Sequence, residues 1–183
     1  ALEYCMVCTT FSEKDWTTIV WPALRATLNK AGMSSKFPRE SLYGPTLYME
    51  HGWKHPFYLQ EIKRLVTLIH EAVDPKSQTG KIMISSLEIL KVDVGVDFDF
   101  RTPSSKVLTS YVPSSWFSSL WRFTDDHSID LIGSFGSISL LREGDVCLMT
   151  RFAEVKFRGK NLKALNYVRK KLKAFTLADI VSI

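Results

Sequence analysis

Apolar residues recur at helical spacing in one segment after another, and each run is closed by a helix breaker. Trp16, Ile19, Val20, Ala23, Leu24, Leu28 and Ala31 share one helical face that Gly32 stops. Ser12, with Asp15 three residues on, predicts a capping box at the start of this helix. Pro22 lies inside the run and has no N–H for the carbonyl four residues back, so a kink or two abutting helices are expected near Trp21. Pro56 opens a second helix, with a stripe of Tyr58, Ile62, Leu65, Val66, Ile69 and Val73 that Asp74-Pro75 ends. Thr79 is expected to cap a third, which turns Ile82, Met83, Leu87, Leu90 and Val94 inward until Gly95. After the turn-like DFDFRTPSSK and Ser114, Trp116, Phe117, Leu120 and Trp121 predict a buried helical face. Helices near 142–155 and 160–173 follow, the last with Leu162, Leu165, Val168 and Leu172 inside.

Strand signals are few. Residues 1–10 and 177–183 lean towards β structure, and the runs at 129–132 and 138–141, with Gly133 and Gly136 between them, suit a small hairpin. The expected fold is mainly α, a single helical domain over 1–183 of five to seven helices, with a minor short β-hairpin or strand element. The 33–55 connection is long, irregular and rich in Pro and Gly, and loops of that length are usually functional or flexible.

Charge is distributed unevenly. Between 151 and 173 there are nine Lys or Arg against one acid, Glu154, while the rest of the chain is net negative. This basic arm points to a polyanionic partner, because phosphate neutralisation needs repeated cations that release counterions. Solvated helix faces normally carry compensating carboxylates, and here they are almost absent. Three cysteines, an odd number, with no secretory signal suggest a reducing intracellular compartment, cytoplasm or nucleus. No run reaches the ~18 apolar residues of a membrane span. The chain opens on Ala1 and ends on LADIVSI, and is expected to be a piece of a longer, polyprotein-like chain.

Catalytic constellations are weak. Phe123-Thr124-Asp125-Asp126 has the form of an aromatic-x-Asp-Asp box, which polymerases use to hold two Mg²⁺ ions. The residues before it have helical periodicity, so the pair is expected at a solvated helix terminus. Cys5-x-x-Cys8 lacks zinc partners at finger spacing, since His51 and His55 are more than forty residues away. Cys147 is expected in the core. No glycine-rich phosphate loop occurs. Among the tryptophans, Trp53 in the long loop is the one expected at the surface. No catalytic and no metal-ligating residue is assigned.

Several short motifs stand in a recognisable order. They are Pro22-Ala23-Leu24 with Leu28 and Gly32, then Pro38-Arg39, Tyr43-Gly44-Pro45, and Thr79-Gly80 with Glu88 and Gly95. Trp116, Trp121 and Phe123 follow, then Arg142-Glu143, Asp145 and Met149, then Asn166 with Arg169, and finally Leu177-Ala178-Asp179-Ile180. Together they resemble the region after the palm in reverse transcriptases of eukaryotic non-LTR-type retroelements. The chain departs from that pattern at 48–52, where Tyr-Met-Glu-His-Gly replaces a Tyr-Gly-Gly-Leu-like turn. The resemblance implies a thumb- or connection-like piece of an RNA-directed DNA polymerase, non-catalytic by itself. Its Mg²⁺ would be held by a palm outside this chain, and no cofactor is expected within it. The implied partners are that palm and an RNA or DNA template–primer, with no membrane. Positioning contacts to phosphate would come from Arg39, Arg142, Lys156, Arg158, Lys160, Lys163, Arg169, Lys170, Lys171 and Lys173. Two other readings compete: a stand-alone helical protein–protein module with a basic docking face, and a small enzyme built on Asp125 and Asp126.

Overall fold

The structure, a computed structural model, describes residues 5–48, 50–74, 76–100, 112, 114–132 and 141–181. It is mainly helical. Eight α-helices occur among the described residues: α1 (Glu13–Lys30), α2 (Arg39–Tyr43), α3 (Pro56–Val73), α4 (Gln78–Val94), α5 (Trp116–Asp126), α6 (Leu148–Glu154), α7 (Gly159–Lys171) and α8 (Leu177–Val181). A short 3₁₀ turn covers Thr46–Tyr48. The chain divides into two compact units, Ala1–Leu65 and Val66–Ile183.

In the first unit, α1 starts at the expected capping box. The Ser12 amide donates to Asp15 Oδ2 at 2.9 Å, and the Asp15 amide donates to Ser12 Oγ at 3.2 Å. One helix runs through Pro22 to Lys30, so the expected pair of abutting helices is not formed. Pro22 lies on the exposed side of the helix, where the carbonyl it leaves unpaired can meet water. Gly32, at φ 72°, closes the helix. The amide of Met33 donates to the Leu28 carbonyl and that of Gly32 to Asn29, the two bonds of a Schellman motif. Leu24, Leu28 and Leu42 form the centre of a small core, with Trp21, Met33, Phe37, Tyr43 and Trp53 packed against it.

Helix α3 buries polar side chains as well as Leu65, Leu68 and Ala72. Gln60, Glu61 and Arg64 are buried, whereas Tyr58, Ile62, Val66 and Val73 of the predicted stripe are exposed. The buried side holds because its polar groups satisfy one another. Gln60 Oε1 accepts from Trp16 Nε1 at 2.8 Å and from Thr9 Oγ1 at 2.9 Å. Gln60 Nε2 donates to Glu61 and to the Phe11 carbonyl, and Arg64 donates to both Glu61 carboxylate oxygens at 2.6 and 2.8 Å.

In the second unit, Ser77, two residues before the expected Thr79, caps α4; its hydroxyl accepts from the Gly80 amide at 3.0 Å. Gly80 is buried, and a Cβ there would stand 2.0 Å from the Glu71 carbonyl oxygen, so the close approach of α3 and α4 requires a glycine. The segment read as a turn after Gly95 also supplies core: Phe98 and Phe100 are buried, and Phe98 stacks on Trp121 with ring centroids 4.3 Å apart. In α5, Leu120 and Trp121 are buried as expected, and Trp116 and Phe117 are half-buried.

The β expectations fare differently. Cys5 and Met6 are helical, against the expected strand over 1–10. Of the run read as β-leaning at 177–183, Leu177–Val181 forms α8, because the Phe175 and Thr176 amides donate to Asp179 Oδ2 and start a helical turn. Residues 129–132 carry no strand, and 133–140 of the expected hairpin lie outside the described residues. An antiparallel bridge between Cys147 and Thr176 is the strand feature among the described residues.

Candidate nucleic-acid interface

That bridge anchors the basic arm. Leu148 donates to the Phe175 carbonyl at 3.1 Å and Leu177 to that of Val146 at 3.0 Å, which closes the segment carrying α6 and α7 into a loop. Helix α7 contains five Lys or Arg and no carboxylate in its thirteen residues. Its buried side is formed by Leu162, Asn166 and Arg169. Val168 and Leu172, expected inside, are exposed instead, because the guanidinium and amide take the inward positions.

Arg169 is therefore not a phosphate contact. It is 4 % exposed and donates to the carbonyls of Val92 and Asp93 at 2.6 and 2.9 Å. Asn166 Nδ2 adds a bond to the Asp93 carbonyl at 3.1 Å. The two side chains close the C-terminal end of α4, where Gly95 at φ 79° leaves space for the guanidinium. A cation placed there also complements the helix dipole.

Other members of the predicted set are partly neutralised. Arg142 pairs with Asp179 at 3.2 Å, and Lys170 pairs with Asp93. Arg151, of the basic arm but outside that set, pairs with Glu154 at 2.8 Å. Arg158, the N-cap of α7, donates to the Ala153 and Phe157 carbonyls and remains exposed. Lys156, Lys160, Lys163, Lys171 and Lys173 are exposed and have no carboxylate partner among the described residues. Three of these, Lys160, Lys163 and Lys171, lie on the outer face of α7 along roughly 16 Å of helix axis. Arg39 belongs to the first unit, where its guanidinium sits 4.4 Å from the centroid of a Trp21 ring.

Tyr167 was not singled out by the sequence. It is 63 % exposed, shares the lysine face, and has Lys171 Nζ 5.6 Å from its ring centroid. The signal for it was present: 163, 167 and 171 stand four apart on one row of a helix.

The carboxylate pair does not fit a two-metal site. Asp125 is buried and Asp126 exposed, so the two neighbours face different ways, and the expectation of a solvated terminus is met only by Asp126. Among the described residues no group of three or more His, Cys, Asp or Glu is placed to hold a metal ion. No described helix is long and apolar enough to cross a membrane. In comparisons with protein-family models, curated proteins and solved structures, no match to this chain was found.

Proposed function

We propose that the chain is the post-palm region of a retroelement-encoded RNA-directed DNA polymerase, and that it holds the template–primer through phosphate contacts. The observation that carries the polyanion part of this reading is the lysine face of α7, exposed and without a carboxylate on its own helix. The ordered motifs of the sequence supply the identity of the polyanion. Lys156, Arg158, Lys160, Lys163, Lys171 and Lys173 are the contacts in this reading, with Arg39 as a separate one in the first unit. They position the backbone and read no bases. Polymerisation and its Mg²⁺ belong to a palm domain elsewhere in the parent protein, and the compartment that goes with the reading is the cytoplasm or nucleus.

The test is binding of a fluorescent primer–template duplex as a function of salt. The affinity should fall steeply, with the logarithmic slope reduced by roughly 0.9 for each phosphate contact removed in Lys160→Ala, Lys163→Ala and Lys171→Ala. Absence of any retained duplex at low salt overturns the reading. Val168 and Leu172, exposed beside the lysines, favour a second reading in which an acidic amphipathic helix docks on the same face. In that case an acidic amphipathic peptide binds and the duplex does not.

A further inference from the structure

The first unit contains a cleft of about 620 Å³ that the basic arm does not touch. Its walls include Tyr43, Trp53, His55, Tyr58, Leu59 and Ile62. The volume lies within the range of small-molecule sites, which are mostly apolar with a few placed polar groups. Three rings stand in a row: Tyr43 and His55 have centroids 4.7 Å apart, and His55 and Tyr58 5.3 Å, both edge-to-face. None of these rings is stacked parallel on its neighbour.

The walls are held in place before any ligand arrives. Trp53 donates its amide to the Leu42 carbonyl at 2.8 Å, Gly52 to Gly44 at 2.9 Å, and His51 to Ser41 at 3.0 Å. Leu42 is fully buried and Trp53 packs against the same core cluster, so the wall is tied to the centre of the unit. Gly52 has φ 62°, and a Cβ there would stand 2.6 Å from the Thr46 methyl. Such a site binds without a large ordering cost.

The lining chemistry selects the occupant. Besides the tyrosines, its ionisable residues are Lys54 and His55, and no carboxylate lines the cleft. Burial pushes the His55 imidazole below its ordinary value, which favours the neutral ring and its aromatic surface. The Lys54 ammonium, the indole N–H and the phenol hydroxyls are all donors. Outside the lining, Glu50 packs its carboxylate against Gly44, and Glu13 and Arg39 act on His55 with opposite charge. Lys54 is the Lys or Arg of the lining, so an anion is received there. We propose that this cleft binds a nucleotide, with the base against Trp53 and the tyrosines and the phosphate at Lys54. The site uses residues of the first unit alone and does not depend on the lysine face of α7.

The experiment is calorimetric titration of the whole chain with AMP, adenosine and inorganic phosphate. AMP is expected to bind saturably and about 10-fold more tightly than adenosine, and phosphate alone not to bind. Trp53→Ala should weaken AMP by about 5-fold to 150-fold, the range for loss of one base–aromatic stack. Lys54→Ala should bring AMP down to the affinity of adenosine. If circular dichroism shows Trp53→Ala unfolded, Tyr58→Ala, at a partly exposed position outside the core cluster, should weaken AMP instead. The proposal is overturned by the absence of saturable AMP binding up to about 10 mM. Equal affinities for AMP and adenosine, or AMP binding unchanged in the folded aromatic variant, overturn it too.

Discussion

Arg169 and Lys163 lie six positions apart on one helix, and their surroundings give them different work. Arg169 donates to two buried carbonyls, so Arg169→Met should destabilise the protein by about 1–3 kcal/mol in urea unfolding. Lys163→Ala, on the exposed face, should stay within about 0.5 kcal/mol. The same pair read by duplex binding should reverse, with Lys163→Ala changing the salt slope. Glu61 presents a sharper case, because its loss takes a paired carboxylate away from the buried Arg64 guanidinium. Glu61→Ala should cost about 3–5 kcal/mol, and pairing it with Arg64→Met should recover most of that loss. Thiol reactivity separates the cysteines in the same way: Cys5 and Cys8 are exposed and Cys147 is buried. Burial pushes the Cys147 thiol up, partly opposed by the Asp97 amide that donates to its sulfur at 3.3 Å. With a thiol reagent, two groups should react quickly in the native protein and the third only on unfolding.

At the scale of elements, the ends of helices were more legible than their faces. The capping box at Ser12 and Asp15 and the stop at Gly32 are written in local chemistry that needs no tertiary partner. Ser77 displaced the expected Thr79 because the chain turns after Asp74, and the serine reaches the Gly80 amide from there. Faces were harder, since periodicity tells which residues share a side and not which side is buried. In α3 the apolar stripe is exposed at Tyr58, Ile62, Val66 and Val73 because Gln60 closes a network with Trp16, Thr9 and Phe11. Those partners are 44 to 51 residues away. Gly80→Ala tests the packing of α4 directly. Its Cβ would meet the Glu71 carbonyl, and the expected cost is about 1–3 kcal/mol, read as a lowered thermal midpoint.

For the whole molecule, groups in both units make stability depend on pH. Burial depresses the His55 imidazole, so the unfolded chain takes up that proton more readily. Stability is complete above the unfolded value near 6.5 and falls as pH drops from there towards the folded value. Asp179 is held below the usual carboxylate range by the Thr176 and Phe175 amides that donate to it. Its contribution is complete above about pH 4 and is lost as pH falls further. Urea midpoints measured from about pH 7 to about pH 3 should therefore decline in two stages. His55→Phe should flatten the first stage, and Asp179→Asn should reduce the second, to which Asp15 and Asp145, also held low by hydrogen bonds, contribute.

The amino-acid order by itself determined the helical class, the capping box, the Gly32 stop and the concentration of positive charge in 151–173. These follow from local rules, namely apolar spacing, backbone freedom and the absence of nearby carboxylates. Tertiary structure alone decided that Arg169 caps α4, that Asp125 is buried while Asp126 is not, and that Trp53 joins Tyr43, His55 and Tyr58 around a cleft. It also put Asn166 and Arg169 on the buried side of α7, where Val168 and Leu172 were expected. The reason is common to all four. Burial and hydrogen bonding depend on partners tens of residues away, and no window of sequence contains both members of such a contact.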